Sequence, residues 1–231
     1  MTAIWGPPDG GKTTLAANLA ACLAREDTVL LVSSNLWFPE IQLHFGQVVP
    51  EQNSLARLPQ EGCAMYELFT PVKGNANLQL LTLPDDYGEL FGDYLNSGLA
   101  ENLFEQIGRY RFAQVIVDCS AVPDNPISTL ALHQAETVLH VGTPAIAGLF
   151  WYRAMKPLRE ALALDKKSRF VANHADNGLI YGDIEPDFQL PEIEQMGQYA
   201  AQGKTAFAAG VRKYAARIKE IAGAIQREVV E

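Results

Sequence analysis

The chain has 231 residues, of which 48% are hydrophobic and 19% charged, and its formal net charge is -9 at neutral pH. That length and composition fit one α/β domain with a sizeable core, and exclude a disordered, collagen-like or low-complexity chain. The acidic balance excludes a surface that is basic throughout, leaving any nucleic-acid contact to a local patch, and no apolar run reaches membrane-spanning length.

The N-terminus opens with the apolar run Thr2-Ala3-Ile4-Trp5, read as a strand, with no charged start ahead of an apolar segment. The expected location is therefore cytoplasmic. The strand leads at once into Gly6-Pro7-Pro8-Asp9-Gly10-Gly11-Lys12-Thr13-Thr14, and then into the helical pattern Leu15-Ala16-Ala17-Asn18-Leu19-Ala20. This is the G-x-x-x-x-G-K-[ST] spacing of a phosphate-binding loop, in the strand-loop-helix context it needs. A polyphosphate needs several N–H donors converging on one centre, and a loop wrapped at a helix N-terminus supplies them. Lys12 can reach the β- and γ-phosphates, the Thr13 hydroxyl can ligate Mg²⁺, and Thr14 is placed for the α-phosphate. Asp9 is an unusual acid beside phosphates, and is expected to turn to solvent or to a dimer partner.

The first helix is expected from Gly11 to about Arg25. Val29-Leu30-Leu31-Val32 is a continuous apolar run, as in a strand covered on both faces, and it ends in the polar Ser33-Ser34-Asn35. A short helix is expected over Pro39 to Phe45, closed by Gly46, and short helical pieces over Leu55–Leu58 and Met65–Phe69. A strand follows at Leu78–Leu83, then the loop Pro84–Gly88. Gly98–Arg111 is amphipathic, with Leu99, Leu103, Ile107 and Tyr110 on one stripe. Val115-Ile116-Val117 runs into Asp118. Further strands are expected at Val138–Val141 and at Arg169–Ala172, the latter ending at Asn173. Between them Ile146–Leu162 reads as a helix that Pro157 kinks or restarts. Gln189–Gln202 is ambiguous, and a long C-terminal helix is expected from Thr205 to about Val229.

Strands alternating with helices give right-handed crossovers and a parallel sheet, with ligands at the carboxyl ends of the strands. The Gly6 loop, Ser33–Asn35, Asp118 and Asn173 all fall at such ends. The expected fold is a three-layer P-loop NTPase fold over residues 1–231, with a mostly parallel central sheet flanked by helices. Cys22, Cys63 and Cys119 lack C-x-x-C spacing, and the four histidines lack metal-ligand spacing.

The order of motifs resembles the ParA/MinD family of P-loop ATPases, which includes the Tad/CpaE-type pilus-localisation members. Three pieces carry the likeness. Gly11 to Ala20 is close to a GKTT-x-x-x-N-L-A run. Val115–Asp118, followed by a Pro-containing loop, looks like the magnesium-associated strand and second switch. Val138–Pro144 and then Val171-Ala172-Asn173 match the later strand ends. The resemblance implies an ATP/ADP and Mg²⁺ site made by Asp9, Gly10, Gly11, Lys12, Thr13 and Thr14. It further implies Thr13 and Asp118 at the metal, Asn173 at the adenine, and Lys12, Asn35 and Asp118 as the catalytic set. It also implies a homodimer on ATP binding, a protein partner, and a role in positioning or partitioning cargo such as DNA or a secretion or pilus assembly.

Two departures bear on turnover. The family's signature lysine, five residues before the loop lysine, is Pro7 here, and its D-x-D-like strand end is Ser33 and Asn35. Asn35 can hydrogen-bond a water but cannot take its proton. Losing such a group slows reaction on the order of 10² to 10⁴-fold. The expectation is nucleotide binding with slow hydrolysis; the alternatives are a nucleotide-locked scaffold or a P-loop small-molecule kinase. Arg212, Lys213, Arg217 and Lys219 in the last helix, and Lys166, Lys167 and Arg169, are either solvated faces or a weak nonspecific DNA patch. The terminal run Gln226 to Glu231 does not read as a membrane-entering helix.

Overall fold

The computed structural model describes residues 1–60, 62–87, 95–122, 125–174 and 184–228. The turn-rich stretch 175–178, Gly88 of the loop after Leu83, and the helix end expected at Val229 lie outside the described residues. Eight strands form one sheet: β1 (Thr2–Trp5), β2 (Val29–Ser33), β3 (Thr70–Val72), β4 (Asn75–Leu81), β5 (Gln114–Asp118), β6 (Thr137–Gly142), β7 (Ser168–Asn173) and β8 (Phe188–Leu190). Their order is β3-β4-β2-β5-β1-β6-β7-β8. Every pairing is parallel except the hairpin of β3 with β4.

Alternation along the strands splits the core into two layers. Ile4, Leu31 and Ile116 face one side, where they pack with Leu15 and Leu19 of α1 (Lys12–Leu23). Ala3, Trp5, Leu30, Val32 and Val117 face the other, with Leu103 and Ile107 of α2 (Ser97–Gly108). Burial on both faces explains why the central strands read as unbroken apolar runs. The second layer also holds α3 (Pro126–Gln134), α4 (Ile146–Ala154) and α5 (Lys156–Ala161). The first holds α6 (Met196–Ala201) and α7 (Arg212–Glu228). This is the three-layer, mostly parallel α/β architecture expected from the sequence.

Several boundaries differ. The last helix begins at Arg212, not Thr205, because Gly210 takes a left-handed φ of 76° and residues 205–210 close a turn instead. Tyr214, Ile218, Ile221 and Ile225 are its buried side, as expected, while Phe207 is buried from the preceding turn. The helix read over Ile146–Leu162 is two, α4 and α5, with Pro157 in the first turn of the second. α3 follows the Asp118 loop directly, capped by Asn125, whose Oδ1 accepts from Ser128 N at 2.9 Å. The ambiguous Gln189–Gln202 resolves into β8 and α6. Among the described residues no helix is long and apolar enough to cross a membrane.

Candidate functional site

β1 lies between β5 and β6, so the loop leaving it emerges beside the carboxyl end of β5. A cleft of about 600 Å³ opens there, within the size range of small-molecule sites. Its wall is the loop and first turn of α1, from Pro8 to Thr14, faced by Asn35, Glu40 and Asp118. Gly11 is the N-cap of α1 with φ 84° and no side chain caps that end, so the helix presents its first amides to the cleft. A Cβ at Gly11 would collide with the Asn173 carboxamide, so both the left-handed backbone and the close approach require glycine here.

Asp118 ends β5, and its Oδ2 accepts a hydrogen bond from Thr13 Oγ1 at 2.8 Å. Its second oxygen, Oδ1, is buried with no partner among the described residues. Burial pushes the carboxyl up to about 6, opposed by the Thr13 hydrogen bond and by the charge of Lys12. Lys12 is pushed below its ordinary value by burial, opposed by Asp118 and then Asp9. Its Nζ donates to the Pro7 carbonyl at 2.7 Å. Desolvation dominates at both groups, so each ion is held in a site that disfavours its charge. An anion on Lys12 and a cation on Asp118 would relieve both.

The sequence-predicted residues fall around this cleft in different ways. Gly10, Gly11, Lys12, Thr13, Thr14 and Asp118 line it together. Asp9 lines it too, but is exposed and has φ 54°, as expected of an acid turned outward. Asn35 lines it with its Oδ1 accepting from Phe38 N at 3.1 Å, which shapes the loop after β2. Asn173 stands behind the loop: its Nδ2 donates to Gly10 O at 3.0 Å and its Oδ1 accepts from its neighbour His174 N.

Glu40 was missed from the sequence, and Ser34 was placed at a strand end without its partners. Glu40 enters the cleft at the start of a 3-10 turn over Glu40–Phe45, and its charge acts on both Lys12 and Asp118. Ser34 ties the loops after β2 and β5 together. Its Oγ is 2.9 Å from Asp118 O and 2.7 Å from Ser128 Oγ, and accepts from Ser120 N at 3.0 Å. The start of α3, which carries Ser128, was signalled by Asn125-Pro126, an N-cap followed by a proline in the first helical turn. The loop after β2 exposes Trp37 (64%) and Phe38 (75%) in the cleft wall, and beyond the carboxyl ends of β5 and β6 Val122 (51%) and Ile146 (73%), the first residue of α4, are exposed as well. Large apolar side chains gathered at one edge mark a surface for association.

The donor set suits a hard cation bridging to phosphate: one hydroxyl, one carboxylate with an unpartnered buried oxygen, and amides and an ammonium beside them. Among the described residues there is no cluster of three or more His, Cys, Asp or Glu that could hold a metal alone.

No family model matches the sequence, and no curated protein matches it either. Solved structures do match. The cell division ATPase MinD of Pyrococcus furiosus superposes with a TM-score of 0.81 at 18% identity, covering 98% of each chain. The septum site-determining protein MinD of Pyrococcus horikoshii, complexed with Mg-ADP, gives 0.76 at 18% identity, covering 97% of this chain and 96% of that one. A ParA family ATPase of Chlorobium tepidum gives 0.77 at 15% identity, covering 95% and 96%. At these identities the likeness concerns the fold: the chain has the P-loop NTPase fold of MinD and ParA-family ATPases.

Proposed function

We propose that the cleft binds ATP or ADP with Mg²⁺, and that the ATP-bound protein forms a homodimer that positions or recruits a partner assembly. The observation that carries this reading is the Thr13–Asp118 hydrogen bond beside Lys12 at an uncapped helix N-terminus. The loop amides and Lys12 would hold the phosphates; Thr13 and Asp118 would hold the Mg²⁺, which neutralises phosphate charge when bound. Asn173 steadies the loop from the adenine side in this reading. The solved MinD with Mg-ADP supports the choice of nucleotide and metal.

Dimer formation is supported by Trp37 and Phe38, exposed apolar side chains in the wall of the same cleft. Binding of ATP would order the loops after β2 and β5, which Ser34 joins, and so change the face those side chains present. Gel filtration with and without MgATP tests this. A shift from monomer to dimer only with MgATP supports it; a monomer that has ATP bound contradicts it.

A second reading, a nucleotide-locked scaffold with no productive cycle, is favoured by Pro7 and Asn35. Neither supplies a cation or a base, and Asn35 Oδ1 already accepts a hydrogen bond from Phe38 N. The kinase reading needs an arginine-bearing lid. Arg159 is instead buried, bonded to Asp165 and Tyr152, and Arg109 pairs with Glu105. A DNA patch on α7 is weakened by Arg217, which pairs with Glu220 at 2.7 Å.

A further inference from the structure

A second cavity, of about 520 Å³, lies at the opposite end of α1, about 18 Å along the helix from the phosphate loop. Its walls are the end of α1, the Glu40–Phe45 turn, the hairpin of β3 and β4, and residues 203–208. A neighbouring cavity of about 570 Å³ shares Lys73 and Gly203 with it and adds Leu43, Val48 and Ala200. Together they make one groove beside the hairpin.

The groove is built, not incidental. Gly46 and Gly203 both have left-handed backbones, with φ 58° and 67°, and a Cβ on Gly203 would collide with the Gly46 backbone. That backbone contact fixes the 203–208 segment against the Glu40–Phe45 turn. Asn77 Nδ2 donates to Ala24 O at 3.1 Å, fastening the hairpin to the end of α1. The Gln47 carboxamide covers the free edge of β3: its Oε1 accepts from Lys73 N at 3.0 Å and its Nε2 donates to Pro71 O at 3.4 Å. Addition of a further strand at that edge is thereby blocked.

Charge is segregated here. The chain has 27 acids against 18 lysines and arginines, yet among the described residues the cavity at the end of α1 is lined by Arg25, Lys73 and Lys204 and by no carboxylate. Asp85, in the neighbouring cavity, is the one acid among the described residues that line the groove. The ion pairs among the described residues include none of the three cations. The Arg25 guanidinium rests over the Phe207 ring, 4.8 Å from its centroid. Leu43 and Val48 stand exposed alongside, at 51% and 67%.

We propose that this groove docks an acidic segment of a partner protein, its carboxylates on Arg25, Lys73 and Lys204 and its apolar side chains against Leu43 and Val48. Three cations on three separate elements match charges spaced along a chain, and the exposed apolar pair gives such a chain contacts that a small inorganic anion would not use. The groove shares no lining residue with the phosphate cleft, so the proposal stands apart from the nucleotide reading.

The test is a display selection of random 12-residue peptides on the full chain without nucleotide, followed by fluorescence polarisation of the enriched peptides. Enriched peptides should combine acidic and apolar residues and lose affinity with added salt. The Lys73→Glu/Lys204→Glu variant should weaken them at least tenfold and Lys204→Ala alone at least threefold. The exposed Lys166→Glu should stay within twofold of wild type. Thermal melts of each variant check folding, and Lys204→Ala decides the matter if the double variant does not fold. The proposal is overturned by a selection without enrichment, by enriched peptides lacking an acidic excess, or by unchanged binding to Lys204→Ala. It is also overturned if millimolar inorganic phosphate displaces the peptides, which would mark a small-anion site, or if nonselected acidic vesicles compete equally, which would mark a membrane surface.

Discussion

Lys12 Nζ donates to the carbonyl oxygen of Pro7, 2.7 Å away and five residues back in the same loop. The loop therefore folds its one lysine over its own backbone, and position 7 contributes an acceptor where the resembling family contributes a second cation. Gly10 N donates to the same carbonyl at 3.2 Å, so Pro7 closes the turn.

That relationship predicts the outcome of Pro7→Lys. A cation at this position near the γ-phosphate would stabilise charge that develops in the transition state, an effect worth 10³ to 10⁵-fold where a cation is supplied in full. Steady-state phosphate release with MgATP should rise about tenfold or more over wild type, with nucleotide affinity changing less. Pro7→Ala should show no such gain, which separates charge from loop rigidity. Equal turnover in the Lys and Ala variants would show that position 7 does not face the reacting phosphate.

Asp118 predicts a pH dependence of stability. Its carboxyl is raised from 3.8 to about 6, chiefly by burial. Between those values the folded state binds more protons than the unfolded state, so this group makes stability fall as pH rises from about 4 to 6 and level off above. The difference is on the order of 3 kcal/mol. His44, pushed down to about 4, and His140, pushed down to about 3, both by burial, act with the opposite slope. They are common to wild type and Asp118→Asn, and cancel in the comparison. In denaturant melts with EDTA and no nucleotide, Asp118→Asn should gain on wild type as pH rises from 4 to 6. A constant difference across that range would contradict the buried, cation-seeking carboxylate.

The sheet was legible where its physics is local. β1, β2, β5, β6 and β7 are apolar runs because both faces are covered, and the loop after β1 announces itself through consecutive residues. α3 was overlooked because Pro126-Ile127-Ser128-Thr129-Leu130 lacks a helical stripe, although Asn125 and Pro126 form its start signal. β3 is three residues long and held by pairing with β4, a nonlocal cause invisible along the chain. The turn over 205–210 mimicked helix through its apolar residues, but Asn18 Oδ1, accepting from Phe207 N at 2.7 Å, holds it in place from α1. In the cleft, Lys12, Thr13 and Asp118 were readable, the first two from spacing and the last from its strand end. Glu40 was not, because four residues of irregular chain separate it from Asn35 and only the fold brings it beside Lys12.

The most direct measurement is titration of a fluorescent ATP analogue into wild type and Lys12→Ala, with Mg²⁺ and again with EDTA. Wild type should bind saturably, Lys12→Ala on the order of 100-fold more weakly, a loss of about 3 kcal/mol, and binding should weaken again when EDTA removes the metal. An analogue that binds both proteins equally, or neither, would contradict a phosphate site at the head of α1.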